Sequence, residues 1–353
     1  LAPGAKNKFK KLFAAVMTQI YCMDGLSPDS AVNVAVDLAR RRFGSQQAGF
    51  VNAILRRAAA IDFAAWQQRQ SWQQLIPASE PLRKSWRKRF DDATLQQLCR
   101  DLAEPPPFTF RLLRDIPEHE LREVGAEPLL LPKWSGNTRF YRCASPTALF
   151  ASGWLERGLI YIQDPATALA PQLAGEFPPD ALGLDMCAAP GGKSLMLAEK
   201  LAPGHLIAAD LSWRRQQRTR ENFHNTGYEN PVIAASALCP PFRHDTFDLV
   251  LLDVPCSNTG VGRHRPDALW AYTDENTAEL TEMQKNILNA AAPLVKQGGL
   301  LIYSTCSIEA RENELQVADF LSRQPAFTLE HRQELLPGSC HDGAFAASLR
   351  RIQ

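Results

Sequence analysis

Two cysteines stand in polar turns directly after apolar segments of the sequence. Cys256 follows "FDLVLLDVP", a stretch that also contains Asp253, and Cys306 follows "GLLIYST". An unpaired cysteine is most often a small buried hydrophobe, but two thiols at the ends of neighbouring strands favour nucleophilic chemistry, because a thiolate is a strong nucleophile. The residues alone leave open which of the two thiols attacks.

A glycine loop lies upstream of both cysteines, in "LDMCAAPGGKS" at residues 184–194. The loop matches neither GxGxxG nor GxxxxGK[ST], so it disfavours a dinucleotide or a nucleoside triphosphate. Asp210 ends the next apolar segment, "HLIAAD", where an acid accepts hydrogen bonds from a ribose diol. An adenosine cofactor without phosphates fits, and S-adenosylmethionine is one. The predicted cofactor contacts here are Cys187, Ala188, Ala189, Pro190, Gly191, Gly192, Lys193 and Asp210.

The elements that must position these groups alternate between strands and helices from about residue 160 onward. Five apolar strand segments are separated by helical ones, and the last strand follows a long helix near residues 274–296. Such alternation predicts a Rossmann-like α/β fold with a doubly wound, mostly parallel sheet. Ligands of that fold bind at the carboxyl ends of the strands, where both cysteines and the glycine loop would meet.

Two other regions precede this predicted domain. Residues 1–77 contain several amphipathic helical patterns without strand signals, and Gly44 is a stop signal between two of them. Residues 78–158 contain a basic helix and then short alternating segments such as "FTFRLL" and "TRFYRC". We therefore predict an all-helical domain at 1–77, a linker helix with a small α+β module at 78–158, and the Rossmann-like domain at 159–353.

Charge is distributed unevenly along the chain. Residues 1–101 carry 16 Lys and Arg against 8 Asp and Glu, whereas residues 102–353 carry 23 against 30. A basic region suggests a polyanion such as RNA as its partner, although a solvated helix face would have the same composition. Within "LRKSWRKRF", we predict that Lys84, Arg87 and Lys88 contact RNA, with Trp86 between the charges.

The composition argues against membrane, secreted, zinc-binding and disulfide-rich proteins. No apolar run approaches the about 18 residues of a membrane span, and no signal peptide pattern begins the sequence. The eight cysteines form no CxxC pair and no Cys/His cluster, which argues against a zinc site and a disulfide framework. The sequence thus predicts a cytoplasmic, monomeric protein with free thiols, no metal and no membrane association.

Taken together, these motifs resemble the RNA cytosine-5 methyltransferases, in particular the branch that acts on 16S ribosomal RNA of the small subunit. The resemblance rests on "LDMCAAPGGKS", "LLDVPCSNTGVGRHRPDALW" and "YSTCSIEARENE". Residues 32–57, "VNVAVDLARRRFGSQQAGFVNAILRR", are similar to the NusB-like helical domain of that branch. The resemblance covers nearly the whole chain.

The resemblance implies a role for each residue of the motifs. Cys306 would attack C6 of the cytosine and Cys256 would assist release, while Asp253 would hold the base or the cofactor. Ser236 stands where the family usually has an acid that contacts the adenine amine. The arginine-rich continuation implies RNA contacts, and a cation there could activate a thiol; its residues are Arg263, His264 and Arg265.

Two other functions stay open at this point. A methyltransferase acting on an exocyclic amine needs no cysteine, and its motif would resemble Asp-Pro-Pro-Tyr rather than the Asp-Val-Pro-Cys found here. A catalytically idle RNA-binding or ribosome-assembly factor is the alternative outside the enzymes. The presence of both cysteines argues against each of them.

Overall fold

The computed structural model describes residues 7–74 and 76–353, and the chain divides into two compact units, Leu1–Ile76 and Pro77–Gln353. Residues 1–6 and Leu75 of the predicted helical domain lie outside the described residues. Within the described ranges, no helix combines the length and the apolar character that crossing a membrane requires.

The first unit is helical, as its amphipathic patterns predict. Its helices are α1 (Asn7–Cys22), α2 (Pro28–Phe43), α3 (Ser45–Ala59) and α4 (Phe63–Arg69). The apolar faces of α1, α2 and α3 pack into one core, with Phe13, Val32 and Val51 at most 2% exposed. Gly44 separates α2 from α3 at φ 89°, a conformation that favours glycine, and its N–H donates to the Arg40 carbonyl.

The second unit begins with two helices and a small sheet. These elements are α5 (Glu80–Arg89), α6 (Asp92–Ala103), β1 (Thr109–Leu112), α7 (Glu118–Glu123), β2 (Ala126–Pro128), β3 (Phe140–Cys143), α8 (Pro146–Ala151) and β4 (Ile160–Ile162). The four strands are antiparallel in the order β2-β3-β1-β4. Because β4 lies beyond residue 158, this sheet extends past the boundary that the sequence analysis placed there.

The Rossmann-like fold predicted from the sequence is confirmed. Its elements are α9 (Leu169–Gln172), β5 (Gly183–Asp185), α10 (Gly192–Ala198), β6 (Leu206–Asp210), α11 (Trp213–Thr226), β7 (Val232–Ala234), β8 (Phe247–Asp253), α12 (Pro266–Ala271), α13 (Asp274–Ala291), β9 (Val295–Thr305), α14 (Glu314–Arg323), β10 (Phe327–Leu335) and β11 (Ala344–Arg351). The seven strands follow the order β10-β11-β9-β8-β5-β6-β7, and β5 to β9 are parallel.

Two strands of this sheet had not been anticipated. β11 lies between β9 and β10 and pairs antiparallel with both. The β10 sequence "FTLEHRQEL" is mostly exposed at the edge of the sheet, so it lacks the apolar run that marks a buried strand.

The sheet brings the predicted site residues to one edge. Leu184, Val250 and Leu301 are fully buried in the strands that carry them, and helices cover both faces. In the register of β8 and β9, Asp253 pairs with Ser304. Both cysteines therefore follow the same end of adjacent strands.

Candidate active site

The two thiols meet at the carboxyl edge of the sheet. The Sγ atoms of Cys256 and Cys306 are 3.3 Å apart. Cys256 is buried, whereas Cys306 is partly exposed. The hydrogen bond with Cys306 and burial raise the pKa of Cys256 well above its usual value. Cys256 therefore keeps its proton and can donate it to the other sulfur.

Asn258 links the two cysteine turns. Its φ of 59° is a left-handed conformation that asparagine tolerates better than most residues. The Cys306 thiol donates to Asn258 Oδ1 at 3.1 Å, and Asn258 Nδ2 donates to the Cys256 carbonyl at 2.9 Å. The turns also touch at Gly260, where a Cβ would lie 2.7 Å from the Cys306 carbonyl oxygen. Only glycine permits this approach.

The Glu312 carboxylate accepts hydrogen bonds from both cysteine turns. It is 0% exposed, and its carboxylate accepts from the Ser257 N–H at 2.8 Å and from the Ser307 hydroxyl at 2.6 Å. The Ser257 hydroxyl also donates to it, as does Gln284 Nε2 at 3.0 Å. Because Ser257 and Ser307 each follow a cysteine, this one carboxylate fixes the position of both thiols.

An ion pair lies beside the thiols. Lys193 of the glycine loop donates to Asp253 Oδ2 at 2.7 Å. Burial acts to lower the pKa of Lys193, but the Asp253 carboxylate outweighs it, and the Cys306 thiolate also acts to raise it, so the pKa of Lys193 is raised. Lys193 therefore stays protonated beside the Asp253 carboxylate.

The glycine loop is hydrogen-bonded to Asp210 at the end of β6. Gly191 has a φ of 103°, and a Cβ there would come within 3.0 Å of Thr219. Asp210 is 4% exposed, and its Oδ2 accepts from the Ala189 N–H at 3.3 Å. Arg215 donates to the Ala189 carbonyl at 2.6 Å and lies 3.7 Å from the Asp210 carboxylate.

Two cavities open on this edge and share Cys187, Ala189 and Asp253 in their walls. The larger cavity has a volume of about 370 Å³ and is lined by Asp210, Ser236 and both cysteines, among other residues. The smaller cavity has a volume of about 240 Å³. It is lined by four other residues of the glycine loop that were predicted to contact the cofactor: Ala188, Pro190, Gly192 and Lys193. All of the predicted cofactor contacts except Gly191 line one of these cavities.

The role given to Arg263 is wrong. Its side chain is 1% exposed, donates to the His341 carbonyl at 2.7 Å and lies 3.6 Å from Asp342, so it cannot contact RNA. Burial lowers the pKa of His264, which is partly exposed and lies 3.5 Å from Asp342. A neutral histidine cannot activate a thiol by its charge. Arg265 is exposed, and its RNA contact stays a prediction.

Only some of the basic side chains of helix α5 are exposed to solvent. Lys84, Arg87 and Lys88 are exposed, and their RNA contacts stay predictions. Trp86, which the sequence analysis placed among them, is 0% exposed and donates to Glu309 Oε1 at 2.7 Å. It is a core residue, not a stacking surface for a base.

Three further side chains approach the geometry of a metal site. The ligand atoms of Asp164, His264 and Asp342 lie within 4.8 Å of one another. The Arg263 guanidinium, 3.6 Å from Asp342, already supplies positive charge there. This cluster therefore carries no metal assignment.

The sequence analysis missed residues whose partners are remote in the chain. Gln163 follows β4 and lines the smaller cavity, and Arg111 on β1 donates to its Oε1 at 3.0 Å. Glu312 lay within the quoted motif "YSTCSIEARENE" without a role. Two of these residues could have been noticed in the sequence. Arg111 is a charged residue inside an apolar strand, and Glu312 is a charged residue inside a motif that carries a cysteine.

Comparisons with known proteins agree along most of the chain. A family profile described as 16S rRNA methyltransferase RsmB/F matches residues 167–345, and one described as the NusB family matches residues 8–60. Ribosomal RNA small subunit methyltransferase B of Klebsiella pneumoniae is 30% identical over 347 residues, which cover 92% of this chain and 78% of that protein. The protein of the same name from Vibrio cholerae is 39% identical over 57% of this chain and 47% of its own length.

Solved structures share the fold at lower identity. NSun6 from Pyrococcus horikoshii, solved with SFG, has a TM-score of 0.66 and 19% identity, and covers 79% of this chain and 100% of its own. A methyltransferase homologue from Pyrococcus horikoshii has a TM-score of 0.65 and 23% identity over 80% of this chain and 100% of its own.

Proposed function

Because this chain belongs to the 16S rRNA methyltransferase RsmB/F family, we propose that it methylates C5 of a cytosine in RNA of the small ribosomal subunit, with S-adenosylmethionine as the methyl donor. The observation that carries the proposal is the pair of thiols, 3.3 Å apart in the wall of a cavity that also contains Asp210. Methylation of an exocyclic amine has no use for such a pair.

The larger cavity suits the adenosine part of the cofactor. Asp210 Oδ1 and Oδ2 each accept one backbone N–H, from Ser212 at 2.9 Å and Ala189 at 3.3 Å, which leaves lone pairs for a ribose diol. Ser236 and Leu238 continue the wall from Asp210, in the place of an adenine ring. When bound, S-adenosylmethionine supplies an electrophilic methyl group.

Cys306 is the nucleophile in this proposal. C5 of cytosine is a weak nucleophile, but a thiolate that adds to C6 makes C5 enamine-like and able to accept a methyl group. Cys306 is more exposed than Cys256, which leaves its sulfur open to the base. A base then takes the C5 proton, and the released electron pair expels the Cys306 thiolate.

Cys256 assists the release step. Its raised pKa keeps it protonated, so it can protonate the departing sulfur of Cys306 or stabilise it through the 3.3 Å contact. Asp253 belongs to both cavity walls and would hold the base or the cofactor. The target cytosine must be unpaired and unstacked to reach a thiol at the edge of a sheet.

The chemistry can be tested on ribosomal RNA directly. We expect bisulfite sequencing of 16S rRNA to reveal one protected cytosine that becomes convertible in a deletion strain and is restored by this gene. A methyl group found on an exocyclic nitrogen by mass spectrometry of the nucleosides would contradict the proposal.

Asp210→Ala should weaken cofactor binding by about 5- to 150-fold, because losing hydrogen bonds to a buried diol costs about 1 to 3 kcal/mol. Calorimetry with S-adenosylmethionine measures the dissociation constant. Asp115→Ala is the matched control, since Asp115 has a side chain that is 92% exposed. An unchanged dissociation constant in Asp210→Ala would place the ribose elsewhere.

The helical unit should contribute to RNA binding. Residues 1–76 contain ten Lys and Arg against four Asp and Glu, and Arg41, Arg42 and Arg57 are exposed. Replacing these three arginines with Gln should lower the slope of log affinity against log salt by about 0.9 for each phosphate that the variant no longer neutralises. Cofactor affinity should stay the same. Equal RNA affinity and an equal slope in the triple variant would leave these arginines without a role in RNA binding.

A further inference from the structure

The Cys256 carbonyl fixes the orientation of the Asn258 amide. Asn258 lies two residues after Cys256, and its side chain reaches across to the turn that carries Cys306. Its Nδ2 is 2.9 Å from the Cys256 carbonyl oxygen, which can only accept a hydrogen bond. The amide nitrogen must therefore face that carbonyl, and the amide oxygen must face Cys306, whose Sγ lies 3.1 Å from Oδ1.

This orientation also determines where the proton of Cys306 points. An amide oxygen has no hydrogen to donate, so the 3.1 Å contact is a hydrogen bond only if the Cys306 thiol donates. The other contact of the Cys306 sulfur, 3.3 Å to Cys256 Sγ, must then use the Cys256 proton. That proton stays on Cys256, because the hydrogen bond with Cys306 and burial raise the pKa of Cys256. Cys256, Cys306 and Asn258 thus form a chain in which both protons point the same way.

We propose that Asn258 is a positioning residue that sets the direction of this thiol chain in the free protein. By accepting the proton of Cys306, its amide oxygen makes Cys256 the donor of the pair and Cys306 the acceptor. Assistance of release by Cys256 requires that same direction. The inference rests on the proposed function, in which Cys306 attacks and Cys256 assists release.

The contact with Asn258 favours the thiol form of Cys306 over the thiolate. A carbonyl oxygen stabilises a thiol that donates to it, whereas its partial negative charge disfavours a thiolate at the same distance. The thiolate is the form that reacts. Loss of the Asn258 oxygen should therefore make Cys306 reactive at lower pH, and a carboxylate in its place should make Cys306 reactive only at higher pH. The two changes have opposite signs, although both remove the bond to the Cys256 carbonyl.

The charged groups at this edge of the sheet stay the same in such variants. They lie in the glycine loop, at the ends of β5, β6 and β8, on α11 and before α14, and they are Lys193, Asp185, Asp210, Asp253, Arg215 and Glu312. The backbone N–H of Asn258, which acts on the Cys256 sulfur, is also present in every variant. A change in the reactivity of Cys306 therefore reports the side chain at position 258.

Alkylation by iodoacetamide measures this reactivity without RNA or cofactor. Trypsin releases Cys306 and Cys256 in separate peptides, residues 297–311 and 244–263, so mass spectrometry follows each thiol of the full chain over a range of pH. Asn258→Gly is compatible with the φ of 59° and should lower the pH of half-maximal alkylation of Cys306. Below that pH, alkylation should be about 3- to 10-fold faster than in the wild type, as expected for the loss of one hydrogen bond. Asn258→Asp should shift the midpoint to higher pH.

The plateau rate at high pH separates this role from simple exposure. If the smaller side chain only opened access to the sulfur, Asn258→Gly would raise the plateau rate and leave the midpoint in place. Asp245→Gly is the matched control, because Asp245 also has a positive φ, of 52°, and precedes β8 at the other end of that strand. It should leave the alkylation profile of Cys306 unchanged.

The outcomes distinguish this inference from the proposed function. An unmoved midpoint in Asn258→Gly, or shifts of the same sign in Asn258→Gly and Asn258→Asp, would overturn the inference. If Cys306 is nevertheless alkylated ahead of Cys256, the proposed function is left standing. Alkylation of Cys256 ahead of Cys306 in the wild type would overturn both, since Cys256 would then be the more reactive nucleophile.

Discussion

Cys306→Ala is expected to reduce methyl transfer to background and to form no covalent complex with RNA, whereas Cys256→Ala should accumulate such a complex. If Cys306 attacks C6, its removal prevents the first bond. If Cys256 assists release, its removal leaves attack and methylation intact but traps the enzyme on its product. The two variants thus differ in kind, which residual activity alone would not reveal.

Denaturing gel electrophoresis with labelled RNA measures the trapped complex, and release of labelled methyl groups measures turnover. The double variant should form no complex, because attack precedes release. Cys239→Ala is the matched control, since Cys239 is an exposed free thiol, and should behave as wild type. A complex retained by Cys306→Ala and absent in Cys256→Ala would reverse the two roles.

Glu312→Ala is expected to destabilise the second unit by about 3 to 5 kcal/mol and to lower its melting temperature by about 10 °C. The substitution removes the acceptor of the Ser257 N–H, and one of the acceptors of the Ser307 hydroxyl and of the Gln284 amide, in a fully buried place. Both cysteine turns lose their common anchor, and a displacement of about 1 Å at reacting groups can cost about 100-fold in rate.

Circular dichroism melting and methyl transfer below the melting temperature measure the two effects. Glu312→Gln keeps one acceptor oxygen, so it should lie between Glu312→Ala and the wild type. Glu282→Ala on the exposed face of α13 is the control and should change neither quantity. An unchanged melting temperature in Glu312→Ala would show that the turns are held without this carboxylate.

The sequence predicted what depends on local pattern. β5 to β9 are apolar runs separated by helical periodicity, and their alternation led to the parallel sheet and to its carboxyl edge. Cys256, Cys306, Asp210 and the glycine loop were located by their place after such runs. Their meeting at one edge follows from the topology of the fold, without knowledge of any contact.

What the sequence could not predict depends on distant partners. The charges around Trp86 resembled an RNA-binding surface, yet the indole is paired with Glu309, which is 223 residues further along the chain. Arg263 was expected to contact RNA, yet its guanidinium is buried and lies 3.6 Å from Asp342. No periodicity marks such pairs, because a buried ion pair or amide is specified by a neighbour in space.

The position of β11 bears on how the protein is made. This strand, Ala344–Arg351, lies between β9 and β10, and residues 344–349 are buried. During vectorial synthesis, the open edge of β9 must wait for a strand that leaves the ribosome about 40 residues later. The catalytic sheet therefore cannot close co-translationally in the order of its strands, and a nascent chain stalled before residue 344 would expose an apolar edge to chaperones.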